Sequence, residues 1–235
     1  MLLCWLAAPA SAAGLTVLAP ASAAPGLQAL AQPFTTKTGI AVTIAGGGRD
    51  KIFAALKTGG AADVVVLPTS DFADNPALNG MTPLGRIAVG VGVKAGSKVP
   101  DISTPEKFRA ALLAAKGVAF ADPATGTSAG KVIAQMLSAP EFARVKRVPV
   151  QGLAVTALLS GQAGIALQML PELAANKDVA VAGPVPEAYG AGVDFSAGIA
   201  ASSSNALSAQ DFIAFITDRR NIALWKQNGL AALGN

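Results

Sequence analysis

Three junctions in this sequence carry small residues and hydroxyl groups at the point where an apolar run gives way to a helical pattern. They are residues 19–22 (APAS), residues 45–49 (AGGGR) and residues 122–130 (DPATGTSAG). At such a junction the first backbone N–H groups of the helix have no partner within the helix, and the helix dipole adds partial positive charge. Helix N-termini of this kind hold anions without a charged side chain. Because the chain has no histidine, the three junctions together predict capture of an anion rather than catalysis.

Each junction also has a purely structural interpretation. Ser22 is a candidate ligand hydroxyl, but serine at this place is also typical of a helix N-cap. The glycine run before Arg49 permits close approach of a ligand to the backbone, or simply makes a tight connection. The Arg49 guanidinium has the planar shape that binds a carboxylate through two parallel hydrogen bonds, unless it lies in solvent. Thr127 and Ser128 either complete an anion-binding nest between two glycines or satisfy the loop itself.

The composition excludes several classes of protein. The chain has 235 residues, of which 52% are hydrophobic and 14% charged, so it is long enough for two lobes and is not disordered. No internal apolar stretch reaches the roughly 20 residues of a membrane span. The net charge of +4 favours attraction of anions. We predict no nucleic-acid partner, because aromatic residues are few and residues 144–147 form the one basic cluster.

The first twelve residues differ from the rest of the chain. Residues 2–8 are apolar, residues 10–12 (ASA) match a cleavage site, and no basic residue precedes Lys37. We interpret residues 1–12 as the remnant of a signal peptide, with an N-terminal strand as the alternative. The single cysteine, Cys4, lies inside this segment. A chain without it would suit an oxidising compartment, so we expect a secreted, periplasmic protein.

The first seventy residues alternate between strand and helix patterns. Apolar residues 15–18, 40–44 and 63–68 predict strands, of which the last two follow predicted helices. The first helix carries Leu27, Leu30, Ala31 and Phe34 on one face. The second helix is predicted over residues 50–58. This β-α-β-α-β order predicts one half of a doubly wound α/β fold.

The remaining sequence predicts a second α/β lobe and a return to the first. Residues 85–94 form a long strand with alternating glycines that we expect to cross between the lobes. A helix begins near residues 103–106, capped by Ser103 or Thr104, with Phe108, Leu112 and Leu113 facing inward. Further strands are predicted at 118–121, 148–150 and 165–168, and further helices at 128–137 and 154–159. Residues 179–181 and 193–201 are expected to run back toward the first half of the chain, where a helix over 209–217 would pack.

These predictions define two doubly wound α/β lobes. Residues 13–86 and 190–235 make the discontinuous first lobe, and residues 87–189 make the second. Two connecting segments would form a hinge, and the ligand would lie in the cleft between the lobes.

Several short motifs, in their order and spacing, point to a known family. They are residues 17–22 (VLAPAS), Phe34 with Lys37 to Ile40 and Val42, residues 60–64 (GAADV), residues 121–123 with 128–130, and residues 161–165. Through them the whole chain after residue 12 resembles the periplasmic substrate-binding proteins of ABC importers with the type II fold. Within these it is similar to the molybdate-binding ModA group and its ModA-like relatives.

The resemblance implies a set of site residues. Ser22 matches a serine that donates its hydroxyl and backbone N–H to the bound oxyanion, and Ala129 matches a residue that donates a backbone N–H from the second lobe. Residues 167–168 fall where the family uses a tyrosine. We therefore predict ligand binding by Ser22, Gly47, Gly48, Arg49, Thr127, Ser128, Ala129 and Gln168, without catalytic residues, metal or other cofactor. The implied partners are a small anion and the membrane permease of an ABC importer, for a monomeric protein.

Two departures from the family pattern bear on the ligand. A serine-rich turn is replaced by residues 46–48 (GGG) followed by Arg49, and the tyrosine is absent from residues 165–169 (IALQM). These changes favour a small carboxylate or another oxyanion over molybdate in particular. The ModA-like subgroup is also similar to a periplasmic aconitate isomerase, so an enzyme acting on a polycarboxylate is the alternative. That chemistry needs an acid/base pair, for which the sequence offers poor candidates. A sensor for a membrane receptor would have the same fold.

Overall fold

The computed structural model describes residues 14–72 and 75–231. The predicted signal-peptide remnant, with Cys4, lies outside the described residues. The described residues form ten strands and eight α-helices. The strands are β1 (Leu15–Ala19), β2 (Val42–Gly46), β3 (Val64–Pro68), β4 (Leu78–Lys94), β5 (Val118–Ala121), β6 (Arg147–Val150), β7 (Ile165–Met169), β8 (Val179–Pro184), β9 (Gly192–Ala200) and β10 (Leu230–Ala231). The helices are α1 (Ala24–Thr38), α2 (Arg49–Lys57), α3 (Pro105–Ala114), α4 (Ser128–Leu137), α5 (Val155–Leu159), α6 (Leu170–Ala174), α7 (Ala206–Ile216) and α8 (Ile222–Gln227).

Strand β4, 17 residues long, belongs to two sheets. In the first sheet β1 pairs in parallel with β2 and β3, and β9 runs antiparallel between β3 and β4. In the second sheet β5 pairs in parallel with β6 and β7, and β7 runs antiparallel to β4. The partner of β4 changes from β9 at Ala88 to β7 at Val89. The predicted two-lobed α/β fold, with a strand that crosses between the lobes, is confirmed.

Strand β8 corrects one part of the predicted topology. It pairs with β4 over Gly90–Lys94, in the second sheet, whereas β9 alone makes the predicted return to the first. The prediction that residues 179–181 return to the first lobe is therefore wrong. The reason is packing. A Cβ atom on Gly92 would come within 2.9 Å of the Val179 side chain, so β8 can pair with β4 here because residue 92 has no side chain. Val179 and Val181 then cover a cluster that contains Leu173.

The two lobes have aromatic cores. In the first, Leu27, Leu30 and Phe34 of α1 are buried as predicted, and the Phe34 ring lies 5.0 Å from that of Phe212 in α7. In the second, Phe108 of α3 packs edge-on against Phe142. The prediction that Leu113 faces inward is wrong, because Leu113 is 38% exposed. Successive helical residues point about 100° apart, and in α3 this rotation places Leu113 on the side away from buried Phe108 and Leu112.

The helix caps settle two further predictions. Ser22 does not cap α1: the N-cap residue is Ala23, and the Pro20 carbonyl accepts the N–H groups of Ala23 and Ala24. The backbone of this turn thus needs no side-chain cap. Thr104, not Ser103, caps α3, because Thr104 Oγ1 accepts a hydrogen bond of 3.3 Å from the Lys107 N–H.

Candidate functional site

The carboxyl ends of strands from both sheets meet around a cavity of about 300 Å³. Such a crevice at the strand ends is where open α/β sheets bind ligands. The cavity is lined by all of the predicted residues: Ser22, Gly47, Gly48, Arg49, Thr127, Ser128, Ala129 and Gln168. The fold brings them together from the β1–α1, β2–α2 and β5–α4 turns and from the end of β7. Their contact with a ligand stays a prediction.

The first lobe presents backbone N–H groups to this cavity. Ser22 is buried, and neither its N–H nor that of Gly48 donates to another described residue. The N–H of Gly47 differs, because it donates to the Ala19 carbonyl at 3.2 Å and so holds β2 against β1. Since Ser22 caps nothing, its hydroxyl is also available to the cavity. The first lobe thus offers two N–H groups and one hydroxyl.

The second lobe presents the N-terminus of α4, a helix of ten residues. Thr127 is its N-cap, with Oγ1 accepting a hydrogen bond of 3.2 Å from the Gly130 N–H. The N–H groups of Ser128 and Ala129 have no acceptor among the described residues and lie at the cavity wall. A Cβ atom on Gly130 would come within 2.7 Å of the Ala121 carbonyl oxygen. Glycine at this position is what lets α4 begin so close to the end of β5.

Arg49 is not a free cation. Its Nε donates to Asp71 Oδ2 at 3.0 Å, and its guanidinium lies 4.4 Å from the centre of the Phe53 ring. The Asp71 side chain is only 11% exposed and also lines the cavity. Sequence reasoning did not predict Asp71, because it follows β3 in a short turn that carries no small-residue pattern. The Arg49 charge is therefore balanced at the site before any ligand arrives.

Gln168 and Glu172 add an amide and a carboxyl group to the part of the cavity wall that the second lobe forms. Gln168 Oε1 accepts from the Val155 N–H at 3.2 Å, which fixes the orientation of the amide. Its Nε2 is buried without a hydrogen-bond partner among the described residues. Glu172 lies four residues further along the chain, in α6, and lines the same cavity. Burial raises the pKa of Glu172 above its ordinary value of 4.5, and the neighbouring Gln168 amide offsets part of that rise.

Glu172 was missed by the sequence analysis. It sits in the first turn of α6, a helix of five residues that was not predicted. The available signal was its position three residues after the buried strand that ends in Gln168 and Met169. A carboxyl group in that place lies at the same edge of the sheet as the predicted site.

Much of the remaining cavity wall is apolar. Leu153 stands at its edge and is 50% exposed, although it is a large hydrophobic residue. The other apolar side chains belong to strands and helices of both lobes: Leu67, Pro68, Ile133, Leu167, Met169, Val193 and Phe195. The cavity therefore combines a polar lining of N–H groups with an apolar surface that would contact carbon atoms.

Within residues 14–72 and 75–231, no three or more His, Cys, Asp or Glu side chains are grouped so that they could hold a metal ion. No helix in the same part of the chain has the length and apolar character needed to cross a bilayer.

The sheet order and the cavity between two lobes are those of the type II periplasmic-binding-protein fold. The family of bacterial extracellular solute-binding proteins matches residues 15–231, and the chain belongs to this family.

Solved structures agree on the fold. The substrate-binding domain of a putative molybdenum ABC transporter from Clostridium difficile superimposes with a TM-score of 0.70 at 15% identity, over 95% of this chain and all of that one. The periplasmic molybdate-binding protein of Azotobacter vinelandii gives a TM-score of 0.63 at 21% identity, over 94% of this chain and all of that one. At these identities the likeness concerns the fold alone.

One curated relative is an enzyme. The aconitate isomerase of a Pseudomonas species is 22% identical over 149 residues. The match covers 63% of this chain and 56% of that protein, a little over half of its length.

Proposed function

We propose that this protein captures a small organic anion in the cavity between its lobes and presents it, in the periplasm, to the permease of an ABC importer. The observation that carries the proposal is that N–H groups without an acceptor among the described residues converge on one cavity from both lobes, at Ser22, Gly48, Ser128 and Ala129. A ligand held by both lobes would favour their closure, and closure would distinguish the loaded protein from the empty one.

Such a site can bind usefully without a free cation. A partly buried helix N-terminus contributes up to about 2 kcal/mol, and a hydrogen bond to a charged group about 1.5–3 kcal/mol. Micromolar affinity corresponds to about 8.2 kcal/mol. Toward the upper end of these ranges, two helix N-termini and three or four hydrogen bonds exceed this value by enough to offset part of the cost of ordering the ligand.

The apolar wall favours a carboxylate over a bare inorganic oxyanion. A tetrahedral oxyanion has no carbon surface to place against side chains such as Leu67, Ile133 and Phe195. A volume of about 300 Å³ is also at the lower end of the range for pockets that hold small organic molecules. Arg49 supports the same conclusion, because Asp71 engages only its Nε and leaves the Nη groups without an acceptor among the described residues. Those groups could bind one carboxylate oxygen.

In this function the two predicted lobes would be the bodies that move. Residues 13–86 and 190–235 would move as one body against residues 87–189, with β4 and the start of β9 as the connections, in a monomeric protein. Leu153, half-exposed at the cavity edge, would lose contact with water on closure.

A thermal-shift screen of the purified protein tests the proposal. One panel holds molybdate, tungstate, sulfate and phosphate, and the other holds mono-, di- and tricarboxylates. A ligand at 100 times its Kd should stabilise the fold by about 2.7 kcal/mol. We expect stabilisation by carboxylates. A response to molybdate or tungstate alone would overturn the assignment of an organic anion, and no response to any anion would overturn the proposed function itself.

A second candidate function is isomerisation of a polycarboxylate. It is favoured by the match to aconitate isomerase and by Glu172, whose raised pKa suits a group that exchanges protons within a cavity. Incubation with cis- or trans-aconitate in deuterated water, followed by proton NMR, tests it. An isomerised, deuterium-containing product would establish the enzyme, and unchanged substrate after prolonged incubation would exclude it.

A further inference from the structure

The wall formed by the end of β7 and the start of α6 contains a buried amide nitrogen that has no hydrogen-bond partner among the described residues, next to a partly buried carboxyl group. Gln168 is 5% exposed, and its Nε2 has no hydrogen-bond partner among the described residues. The Glu172 carboxyl lies beside this amide, which offsets part of the rise in the carboxyl's pKa, and both residues line the cavity. A buried polar group without a partner is costly, so a natural protein retains one where a ligand or water completes it.

The orientation of the Gln168 amide follows from chemistry. The Val155 N–H is only a donor, so the oxygen of the amide must face it. The NH2 end is then the end without a partner, and it requires an acceptor. The adjacent Glu172 carboxyl has two oxygens that accept hydrogen bonds, and when protonated it also donates one.

We infer that Gln168 and Glu172 form a subsite for a hydroxyl group of the ligand, so that the solute is a hydroxycarboxylate with an apolar body. This inference rests on the proposed function, in which the N–H groups of Ser22, Gly48, Ser128 and Ala129 hold the carboxylate. A hydroxyl accepts from Gln168 Nε2 and at the same time pairs with Glu172 in either of its protonation states.

Other ligand groups satisfy the pair less well. An ammonium group donates to Glu172 but cannot accept from Gln168. A second carboxylate accepts from Gln168 but is repelled by Glu172 whenever that group is ionised. A methylene group leaves the Gln168 NH2 group without an acceptor. The subsite thus discriminates among acids that have the same carbon skeleton.

Calorimetric titration with a matched series of ligands tests the inference. The series is pentanoate, its 2-hydroxy, 3-hydroxy and 4-hydroxy derivatives, and norvaline, which carries an ammonium group on the same skeleton. We expect at least one hydroxy acid to bind about tenfold more tightly than pentanoate. Norvaline should bind no more tightly than pentanoate. The inference is overturned if pentanoate binds and no hydroxy derivative binds more tightly.

Variants assign the preference to the two residues. Glu172→Met removes a desolvated carboxyl and should leave the protein folded, while the preference for the hydroxy acid falls to within about twofold of pentanoate. Glu187→Met makes the same change at an exposed position outside the cavity and should keep the preference. Gln168→Met tests the donor, but it also removes the acceptor of the Val155 N–H, so Glu172→Met is the decisive variant. A preference unchanged in Glu172→Met would refute the subsite.

The outcomes separate the two proposals. Binding of pentanoate and its derivatives with equal affinity would leave the capture of an organic anion standing and remove the hydroxyl subsite. Failure of every compound, together with no response in the thermal-shift panels, would contradict the proposed function and the subsite with it.

Discussion

At the scale of single residues, Ser22 has a hydroxyl that is buried at a helix start and yet caps nothing. Ser22→Ala should therefore weaken carboxylate binding by about ten- to a hundredfold, since a hydrogen bond to a charged group is worth about 1.5–3 kcal/mol, without lowering the melting temperature. Thr104→Ala is the matched control: it removes a true cap far from the cavity and should cost about 1 kcal/mol of stability with affinity unchanged. Calorimetry and thermal denaturation measure the two effects. A loss of stability without a loss of affinity in Ser22→Ala would mean that Ser22 is structural.

Asp71 places a negative charge in the wall of a cavity that we propose to hold an anion. Asp71→Asn should tighten carboxylate binding several-fold at low salt, because it removes about 1 kcal/mol of repulsion and releases Arg49 Nε. The gain should fade at high salt, since part of this interaction is screened. Asp218→Asn, which breaks an ion pair with Arg220 outside the cavity, should change nothing. Weaker binding in Asp71→Asn would show that the ion pair positions Arg49 for the ligand.

The stability of the protein should depend on pH through the ionisation of Glu172. Burial raises its pKa above 4.5 in the folded protein, so the unfolded chain loses this proton first as the pH rises. The free energy of unfolding should therefore fall, relative to Glu172→Gln, from about pH 4.5 up to the folded pKa and level off above it. Urea denaturation of both proteins over this range measures the difference. Parallel curves would contradict the raised pKa.

At the scale of elements, the start of α4 depends on a close approach between backbones. Gly130→Ala would push a Cβ atom against the Ala121 carbonyl, so we expect a loss of about 1–3 kcal/mol in stability and weaker ligand binding. Gly48→Ala meets no atom within 4 Å and has an extended backbone, so it should fold normally and affect only the ligand side of the cavity. Comparing melting temperature and Kd for the two variants separates helix placement from occupation of the cavity. Equal stability of the two would refute the close-contact argument.

How far the sequence predicts the structure differs from element to element. Strand β5 and helix α4 have the predicted bounds, because a buried apolar run, a turn with Pro123 and Gly126, and a threonine cap are all local signals. Helix α6 was not predicted, and strand β8 was expected to run back to the first sheet. A five-residue helix has too few turns for a periodic pattern, and the partner of β8 is chosen by distant glycines on β4.

Site residues could likewise be predicted where the signal is local in the sequence. The N–H groups of Gly48, Ser128 and Ala129 were predictable, since junctions of strand and helix are local features. Asp71 and Glu172 were not, because a single acidic residue in a short turn carries no pattern of its own. Their position at the cavity depends on how the strands are ordered across the two sheets.

At the scale of the whole molecule, the two lobes share β4 and meet around one cavity, to which each contributes N–H groups. Arg86 on β4 binds both carboxylate oxygens of Asp194 on β9 at 2.9 Å and so ties together the two strands that connect the lobes. In this arrangement a ligand that reaches both sets of N–H groups is bound more tightly in the closed form than in the open one. The central claim is therefore that one anion contacts both lobes at once.

A titration followed by 15N–1H NMR tests this claim most directly. With the carboxylate that gives the largest thermal shift, we expect the amide resonances of Ser22 and Gly48 and those of Ser128 and Ala129 to move together, with a single Kd. Amides far from the cavity, such as that of Lys107, should not move. Shifts confined to one lobe, or to amides outside the cavity, would contradict the claim that both lobes bind the anion.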